Sequence, residues 1–313
     1  MTDTAQIELP GQMLSGTGLK DQENVTIIIR KGDKSKLPEQ VRKDLGDKPI
    51  VEIALYVNGQ QKNWNNPNAP ITVSIPYNPS VAELKDPEHI VVWYIDASGK
   101  VNSVPNGRYN AEKGVVTFTT THFSHYAVAF VRKTFNDLDN VAWAQKPIEV
   151  MASKGIISGT GNGAYSPLHS ITRADYLVLL IKTFGFTAEF ESNFNDIKPG
   201  MYYYDAIGVA KQLGITEGSG NNMFSPNALI SRQDMIVLTA RALEKANKLK
   251  ASRDPSALDQ FTDKGELAPY AVKNVADFVR NGLIVGSGNK INPKSYSTRA
   301  EAAVLLYKLY QMQ

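Results

Sequence analysis

The carboxy-terminal half of the chain contains three copies of one pattern, and this repetition limits the possible folds more than any single motif. The stretches ITRAD, ISRQD and STRAE begin at Ile171, Ile230 and Ser297, and each leads directly into an apolar segment. A Phe-x-Asp motif precedes each stretch at one constant distance, with its acid at Asp137, Asp196 and Asp263. The matching offsets predict three related structural units.

Each unit is predicted to consist of two helices joined by a loop. In the first unit the first helix runs from about Ala144 to Lys154. The Gly155-Ile156 that follows is typical of a helix end at which glycine adopts a left-handed conformation, and Gly214 and Gly282 occupy the same position in the other units. A single pair of helices cannot bury its apolar stripes alone, so we expect the three units to share one core.

The second helix of each unit begins with a hydroxyl residue that is followed three positions later by an acid. This is the capping-box pattern, in which the hydroxyl accepts from the N3 amide and the carboxylate accepts from the N-cap amide. The three pairs are Thr172 with Asp175, Ser231 with Asp234, and Thr298 with Glu301.

An arginine therefore occupies the first helical position in every unit, at Arg173, Arg232 and Arg299. A cation is locally unfavourable there, because the amino end of a helix carries partial positive charge. For one such arginine, a stem that covers apolar surface and a salt bridge to a nearby acid would be sufficient explanation. Three in register favour another role, in which the guanidinium group and the helix amides together capture a carboxylate or a phosphate.

The first 133 residues follow a different pattern, with period-two alternation and many β-branched residues. Six strands are predicted, beginning at Val25, Ile50, Ile71, His89, Gly114 and His125. This pattern predicts an antiparallel sandwich. The polar stretch from Ser35 is predicted to form a short helix across one end.

Composition excludes several classes of function. The 34 basic and 31 acidic residues leave a net charge of +3, and no Lys/Arg cluster indicates nucleic-acid binding. The chain has no cysteine, which excludes thiol catalysis, and its histidines lack metal-binding spacing, so neither a metal nor another cofactor is predicted. No signal peptide and no run of about 18 apolar residues occurs, so no membrane insertion is expected. We expect the sequence to be a fragment of a longer exported protein.

The repeats resemble S-layer homology (SLH) repeats. The resemblance rests on the Phe-x-Asp opening, the aromatic residue after it, the G-I-x-x-G of Gly155 to Gly159, the later Ser-Pro and the Thr-Arg-Ala-Asp/Glu motif. It divides the chain into a β-sandwich-like spacer module at residues 1–133 and repeats at 134–190, 191–250 and 251–313. It implies an all-α, pseudo-threefold helical bundle that binds the secondary cell wall polysaccharide of Gram-positive envelopes without a covalent bond. The implied ligand carries pyruvylated N-acetylmannosamine or a similar acidic sugar.

The resemblance also implies roles for four classes of residue. The three arginines would bind the pyruvyl carboxylate. Aspartates that would accept hydrogen bonds from sugar hydroxyl groups, or would cap a turn instead, are Asp137, Asp196 and Asp263. Glycines that would let the backbone approach the sugar are Gly159, Gly218 and Gly286. Aromatic residues that would pack on a sugar face, or would belong to the core, are Trp143, Tyr202 and Tyr270.

The third unit departs most from the pattern. It has one residue fewer between Gly286 and Pro293, and Ile291 replaces the aromatic residue found at Tyr165 and Phe224. Its groove is therefore the one least expected to bind, whereas the second unit, with Ser-Arg-Gln-Asp, is expected to remain competent.

The expected function is non-catalytic anchoring of an extracellular protein to the cell wall. Two alternatives remain open. One is a glycoside hydrolase with its active site in the β half, since carboxylates distant in sequence can meet in space. The other is a structural subunit of a surface lattice.

Overall fold

A computed structural model of the chain describes residues 4–15, 23–252, 254–284 and 286–312. The chain forms two compact units. The first contains Met1–Thr134 and Glu149–Ile156, and the second contains Phe135–Ile148 and Ile157–Gln313. The limits of the individual repeats stay a prediction.

The first unit is a sandwich of two antiparallel sheets, as the alternation predicts. One sheet has the order β1 (Gln6–Glu8), β5 (Ile71–Pro76), β9 (Val115–Thr120) and β8 (Arg108–Asn110). The other has the order β2 (Val25–Lys31), β3 (Ile50–Val57), β10 (His125–Phe130), β6 (Ile90–Ile95) and β7 (Val101–Val104), with β4 (Gln60–Lys62) paired to β3. All six predicted strands are present. The four short strands β1, β4, β7 and β8 were not among those predicted.

Period-two alternation explains how the two sheets bury a common core. In β5, Ile71, Val73 and Ile75 are fully buried, whereas Thr72 and Ser74 between them are half-buried on the opposite face. The inward residues of both sheets form one apolar cluster. Successive strand residues point to opposite faces, so this pattern settles which face of each strand is inside.

The predicted short helix is present as α1 (Glu39–Leu45), but its predicted position at one end of the sandwich is wrong. The outer face of the larger sheet is also apolar, and there Ile50, Val91 and Ala129 form a second cluster with Leu45 of the helix. The helix lies on this face because an apolar sheet face must be covered. A single helical turn, α2 (Val81–Leu84), follows β5.

Each repeat contributes two helices, as predicted. They are α3 (Ala142–Ser153) with α4 (Arg173–Phe184), α5 (Tyr204–Gln212) with α6 (Arg232–Lys245), and α7 (Val272–Arg280) with α8 (Arg299–Gln311). The apolar faces of α4, α6 and α8 are buried, with fully buried residues that include Leu180, Ile236 and Leu306.

The predicted ends of the first helices are confirmed. Gly155, Gly214 and Gly282 have φ angles of +71°, +74° and +66°. In each case the amide of the next residue donates to the carbonyl five positions back, as from Ile156 to Met151 at 3.0 Å. This pairing is the Schellman arrangement, which satisfies carbonyls that the helix leaves open.

A closed ring of backbone hydrogen bonds joins the three repeats just before α4, α6 and α8. The amide of Ile171 donates to Ser297 at 3.0 Å, the amide of Ser297 donates to Ile230 at 3.1 Å, and the amide of Ile230 donates back to Ile171 at 3.0 Å. Each repeat gives one donor and one acceptor, so the repeats have an approximately threefold arrangement around this ring.

Candidate functional site

The helices α4, α6 and α8 begin at the three arginines, and the preceding hydroxyl residues are their N-caps. Among these three described helices, only α8 has the complete capping box, in which the amide of Thr298 donates to Glu301 Oε2 at 2.8 Å. In α4, Asp175 Oδ2 instead accepts from the Thr172 hydroxyl at 2.7 Å. The prediction of a full box is wrong for the two aspartate repeats, because aspartate is one methylene shorter than glutamate.

The first amides of these helices are engaged within the protein, so they are not free to donate directly to an anion. The amide of Arg173 donates to Ala228 at 2.9 Å, and the amide of Ala174 donates to Pro226 at 3.1 Å. The same two bonds run from α6 to Ser295 and Pro293, and from α8 to His169 and Pro167. Each arginine helix thus contacts the Ser-Pro or Asn-Pro loop of another repeat through its first two amides.

Arg173 is held against the loop of the second repeat. Its Nε donates to the Phe224 carbonyl at 3.1 Å, and its guanidinium carbon lies 5.1 Å from the centre of the Phe224 ring. Its Nη1 is 3.6 Å from Asp234 Oδ2, which is longer than a direct hydrogen bond. The carbonyl and the ring therefore fix this side chain, while its ion pair stays loose.

Arg299 is held in the same way against the loop of the first repeat. Its Nε donates to the Tyr165 carbonyl at 2.9 Å, and its Nη2 donates to the Ser158 carbonyl at 2.8 Å. The guanidinium carbon lies 4.5 Å from the centre of the Tyr165 ring, which is within range of a cation–π interaction.

Arg232 differs from the other two arginines. Its Nη1 is 3.7 Å from Glu301 Oε1, so this ion pair is also loose. Its Nε is buried and has no hydrogen-bond partner among the described residues. The position of Phe224 and Tyr165 is taken in the third repeat by Ile291, which has no aromatic face.

Two of the arginines line clefts that residues from all three repeats form. The Arg173 groove has a volume of about 430 Å³ and is lined by Arg173, Thr216, Glu217, Gly218, Ser219, Asp234, Val237, Leu238, Arg241 and Tyr270. The Arg232 groove has a volume of about 590 Å³ and is lined by Trp143, Arg232, Met235, Ile236, Leu283, Ile284, Gly286, Ser287, Glu301, Val304, Leu305 and Lys308. Both volumes lie within the range of about 300–1,000 Å³ that is usual for small-ligand sites.

Each groove brings together an arginine, a glycine and an aromatic residue from three different repeats. Arg173, Gly218 and Tyr270 meet in one groove, and Arg232, Gly286 and Trp143 meet in the other. In both grooves the glycine comes from the repeat after that of the arginine, and the aromatic residue comes from the repeat after that. By this order, Gly159 and Tyr202 are the counterparts for Arg299. These residues are distant in sequence, so only the cyclic order of the repeats explains their convergence.

The aspartates of the Phe-x-Asp motifs hold loops inside their own repeats. Asp263 accepts from the amides of Ile291 and Asn292 at 2.9 and 2.7 Å, and Asp137 and Asp196 make the corresponding bonds in their repeats. None of the three lines either described groove. Turn capping, the alternative left open by the sequence, is therefore present in every repeat.

The repeated glycines have a packing role that the sequence did not reveal. A Cβ atom on Gly218 would lie 2.3 Å from the Met223 carbonyl oxygen and 2.7 Å from the Phe194 ring. Gly159 and Gly286 are equally close to the corresponding carbonyl and to the ring of Phe135 or Phe261. Each glycine thus lets the loop pack on the phenylalanine of the Phe-x-Asp motif.

The three aromatic residues lie on the surface and not in the core. Trp143, Tyr202 and Tyr270 are 58%, 70% and 54% exposed. The Tyr270 hydroxyl donates to Asp234 at 2.6 Å. Partial burial of the hydroxyl and this hydrogen bond raise the pKa of Tyr270 to about 12. The aromatic residue of one repeat therefore lies over the capping acid of another repeat.

Sequence reasoning missed a second basic residue in each groove. Arg241 lines the Arg173 groove and Lys308 lines the Arg232 groove. Both follow an arginine of the repeated motif by nine residues, as Lys182 does in the first repeat. The repeated offset was the available signal, but a basic residue on a helix face is too common to indicate a site by itself.

A Ser-His-Asp triad, which is another arrangement typical of hydrolases, would need the three side chains of His122, Ser124 and Asp96 in the β half to meet. The Ser124 hydroxyl donates to the Ile95 carbonyl at 3.0 Å, and Asp96 accepts from the amides of the Ser98 turn. Ser124 and Asp96 are thus engaged with nearby backbone, and His122 Nδ1 lies 3.4 Å from the Thr120 hydroxyl, so the three side chains do not form a hydrogen-bonded triad. Among the described helices, none is long and apolar enough to cross a membrane.

Comparison with known proteins identifies the repeats. A family model described as the S-layer homology domain matches residues 134–177, 193–236 and 260–303. The chain is similar to the amylopullulanase of Thermoanaerobacterium thermosulfurigenes, with 33% identity over 235 residues, which is 74% of this chain and 12% of the relative. It is also similar to the exoglucanase XynX of Acetivibrio thermocellus (36% over 181 residues, 57% of this chain and 16% of the relative).

A third relative is the surface-layer 125 kDa protein of Lysinibacillus sphaericus, with 31% identity over 175 residues, which is 54% of this chain and 14% of the relative. The chain spans at most 16% of the length of these three relatives. The chain therefore contains three S-layer homology domains preceded by a β-rich module, and these domains together with the surface-layer relatives indicate a cell-surface protein.

Proposed function

We propose that the repeats anchor the protein by binding an anionic secondary cell wall polysaccharide in the grooves between them. The acidic sugar is pyruvylated N-acetylmannosamine or a close equivalent. Its carboxylate pairs with Arg173 in one groove and with Arg232 in the other. Arg299 serves the same purpose at the third junction.

The observation that carries this proposal is the loose ion pair of each groove arginine. Nη1 of Arg173 and of Arg232 lies 3.6 and 3.7 Å from the nearest carboxylate oxygen, beside an open cleft. An arginine that served the fold alone would be expected to form a short, paired contact with its acid. Here the guanidinium group keeps capacity for a second carboxylate. Lys308 adds positive charge to the Arg232 groove, whereas Arg241 in the Arg173 groove pairs with Glu217 at 3.2 Å.

The relatives support a non-catalytic role for this segment. Its similarity extends both to proteins named as glycan-degrading enzymes and to a surface-layer protein. The segment that such different proteins share is expected to supply attachment and not a particular reaction. We therefore propose that the chain itself catalyses nothing.

Binding to purified cell wall polymer tests the proposal. Arg173→Ala and Arg232→Ala are each expected to weaken binding by about 2–5 kcal/mol at the affected groove, the usual effect of removing one partner of a desolvated charge pair. Isothermal titration calorimetry measures the affinity. Arg280→Ala is the matched control, because it removes the same charge from the third repeat at a residue that pairs with Asp254. If the variant that lacks Arg173, Arg232 and Arg299 binds like the control, the proposal is wrong.

The two alternatives have separate tests. Release of reducing ends from starch, xylan or cell wall glycan by the full chain, persisting without the groove arginines, would establish an enzyme. Ordered arrays of the full chain in electron micrographs, formed without polymer, would establish a lattice subunit. We expect neither result.

A further inference from the structure

We propose that Ile291 makes the Arg232 groove a weaker anion site than the Arg173 groove, and that an aromatic residue at this position sets the affinity of a groove. The inference rests on the proposed function of the grooves. It concerns positioning, because Ile291 acts through Arg232 and is not itself among the residues that line the groove.

The first step is the way in which Arg173 is held before any ligand arrives. Phe224 contacts it twice, since its carbonyl accepts from Nε at 3.1 Å and its ring lies 5.1 Å from the guanidinium carbon. Tyr165 holds Arg299 by the same two contacts. An arginine fixed on two sides loses little conformational freedom when it binds a carboxylate, and such preorganisation favours binding.

The second step is the loss of both contacts at Arg232. Ile291 offers no ring for a cation–π interaction, and the Nε of Arg232 has no partner among the residues that the structure describes. The Ile291 carbonyl does not accept from this Nε, in contrast to the Phe224 carbonyl at Arg173, and the loop that leads to Ile291 is one residue shorter than in the other repeats. The side chain keeps a loose pair with Glu301 at 3.7 Å.

The third step is that the ligand cannot replace the missing contacts. The Nε of Arg232 is buried, so an oxygen in the groove cannot reach it unless the side chain moves. A carboxylate that binds the outer nitrogens must therefore order an arginine that the protein has left less constrained. This ordering reduces the affinity of the Arg232 groove relative to that of the Arg173 groove.

The experiment isolates one groove at a time in the full chain. Arg232→Ala with Arg299→Ala leaves Arg173, and Arg173→Ala with Arg299→Ala leaves Arg232. Titration with a pyruvylated N-acetylmannosamine disaccharide is expected to give an affinity about threefold to tenfold higher for the protein that retains Arg173, the usual range for one cation–π contact. Equal affinities, or tighter binding by the protein that retains Arg232, would overturn the inference.

The second part of the experiment exchanges the residue types at positions 291 and 224. Ile291→Phe is expected to raise the affinity of the protein that retains Arg232, and Phe224→Ile is expected to lower that of the protein that retains Arg173, each by about threefold to tenfold. Phe224→Ile keeps the test decisive if the larger residue at 291 prevents folding, which circular dichroism would show. No loss of affinity in Phe224→Ile would refute the role of the ring.

The same disaccharide without its pyruvyl group separates positioning from general loosening. A change in arginine positioning alters the preference for the pyruvylated form, whereas a loosened loop changes the binding of both forms equally. A failure of the proposed function gives a different result, because binding of the pyruvylated form would then be indifferent to all three arginines.

Discussion

One aspartate in the sandwich and one in the repeats both accept hydrogen bonds from backbone amides, but the amides lie at very different separations along the sequence. Asp96 accepts from the amides of Ser98 and Lys100, two and four residues ahead in a hairpin turn. Asp263 accepts from the amides of Ile291 and Asn292, 28 and 29 residues ahead. The first bond set shapes a local turn, and the second joins the two halves of a repeat.

This difference reflects how each region satisfies its backbone. In the sandwich the strands pair with one another, and side chains are needed mainly to fill the core. The repeats contain long loops, so carboxylates, hydroxyl groups and arginines satisfy the loop amides and carbonyls. Single polar side chains should therefore matter more to the fold of the repeats than to that of the sandwich.

Asp263→Ala is expected to be the most destabilising single change of this kind. It removes two charge-assisted bonds and leaves the buried Ile291 amide without its acceptor, which should lower the free energy of unfolding by about 3 kcal/mol. Denaturant unfolding followed by circular dichroism measures the change. Asp96→Ala, which alters an exposed turn, is the control and should cost clearly less. An equal loss in both variants would contradict the distinction between the two regions.

The hydrogen bonds to Asp263 should also affect how the free energy of unfolding depends on pH. Burial alone would raise the pKa of Asp263, but hydrogen bonds from the Ile291 and Asn292 amides favour the ionised form and hold its pKa below the usual value. The carboxylate thus stabilises the folded state above the unfolded pKa of about 4, and this contribution is lost as the pH falls through the folded value. Asp263→Ala should flatten the acid limb of the stability curve.

A glycine pair tests whether close packing also distinguishes the repeat loops. Gly218→Ala should lower the free energy of unfolding by about 3 kcal/mol, because φ is +81° and the new Cβ would lie 2.3 Å from the Met223 carbonyl oxygen. Gly220→Ala is the matched control, since φ is +104° but no atom lies within 4 Å of its Cβ. It should cost only the backbone strain, about 1 kcal/mol. Equal costs would show that the close approach to Met223 is relieved by a shift of the loop.

Periodicity made most of the fold predictable. Alternation located the six main strands, and the repeated cap and glycine motifs located the ends of helices in all three repeats. Short strands such as β7 were not predictable, because pairing in three dimensions and not local preference creates them. The position of α1 depended on an apolar outer sheet face, which alternation alone does not reveal.

The site was predictable as a set of residue types but not as a geometry. Repetition singled out the arginines, yet the sequence could not show that the helix amides beside them donate to another repeat. Nor could it show that Arg173 meets Gly218 and Tyr270, because that depends on the direction in which the repeats follow one another around the ring. The second basic residue, Arg241, follows Arg173's counterpart Arg232 by nine residues, an offset that the sequence contains but that does not by itself place it in a groove.

Lys154 is an exception to this difference between the two regions, because it is a buried polar side chain that satisfies backbone carbonyls in the first unit. Its Nζ donates to the carbonyls of Ile90 and Gly107, and burial, reinforced by the charge of Arg108, lowers its pKa to about 7. Between pH 7 and 10.5 the unfolded chain holds a proton that the folded chain has released. Stability should therefore rise with pH across this window, by up to about 1.4 kcal/mol per pH unit.

Lys154→Met tests this expectation, because it keeps the length of the side chain and removes the titrating group. Urea unfolding at several pH values between 7 and 10 should show the rise in the parent protein and a flat profile in the variant. Lys133→Met is a suitable control, since this lysine is exposed at the end of the β module. A rise that persists in Lys154→Met would assign it to another group.

Asp175→Glu should give the smallest effect, and in the stabilising direction. Glu301 accepts from the N-cap amide at 2.8 Å, whereas Asp175 bonds to the cap hydroxyl, so one added methylene should complete the capping box of α4. We expect a gain of about 0.5 kcal/mol in the free energy of unfolding. The hydrogen bond from Tyr202 to Asp175 opposes the gain, because the longer acid moves its second oxygen. Asp175→Glu combined with Tyr202→Phe therefore separates the new capping bond from the lost hydrogen bond of Tyr202. If the double variant is still less stable than Tyr202→Phe alone, the length of the acidic side chain is not what prevents the full capping box in α4.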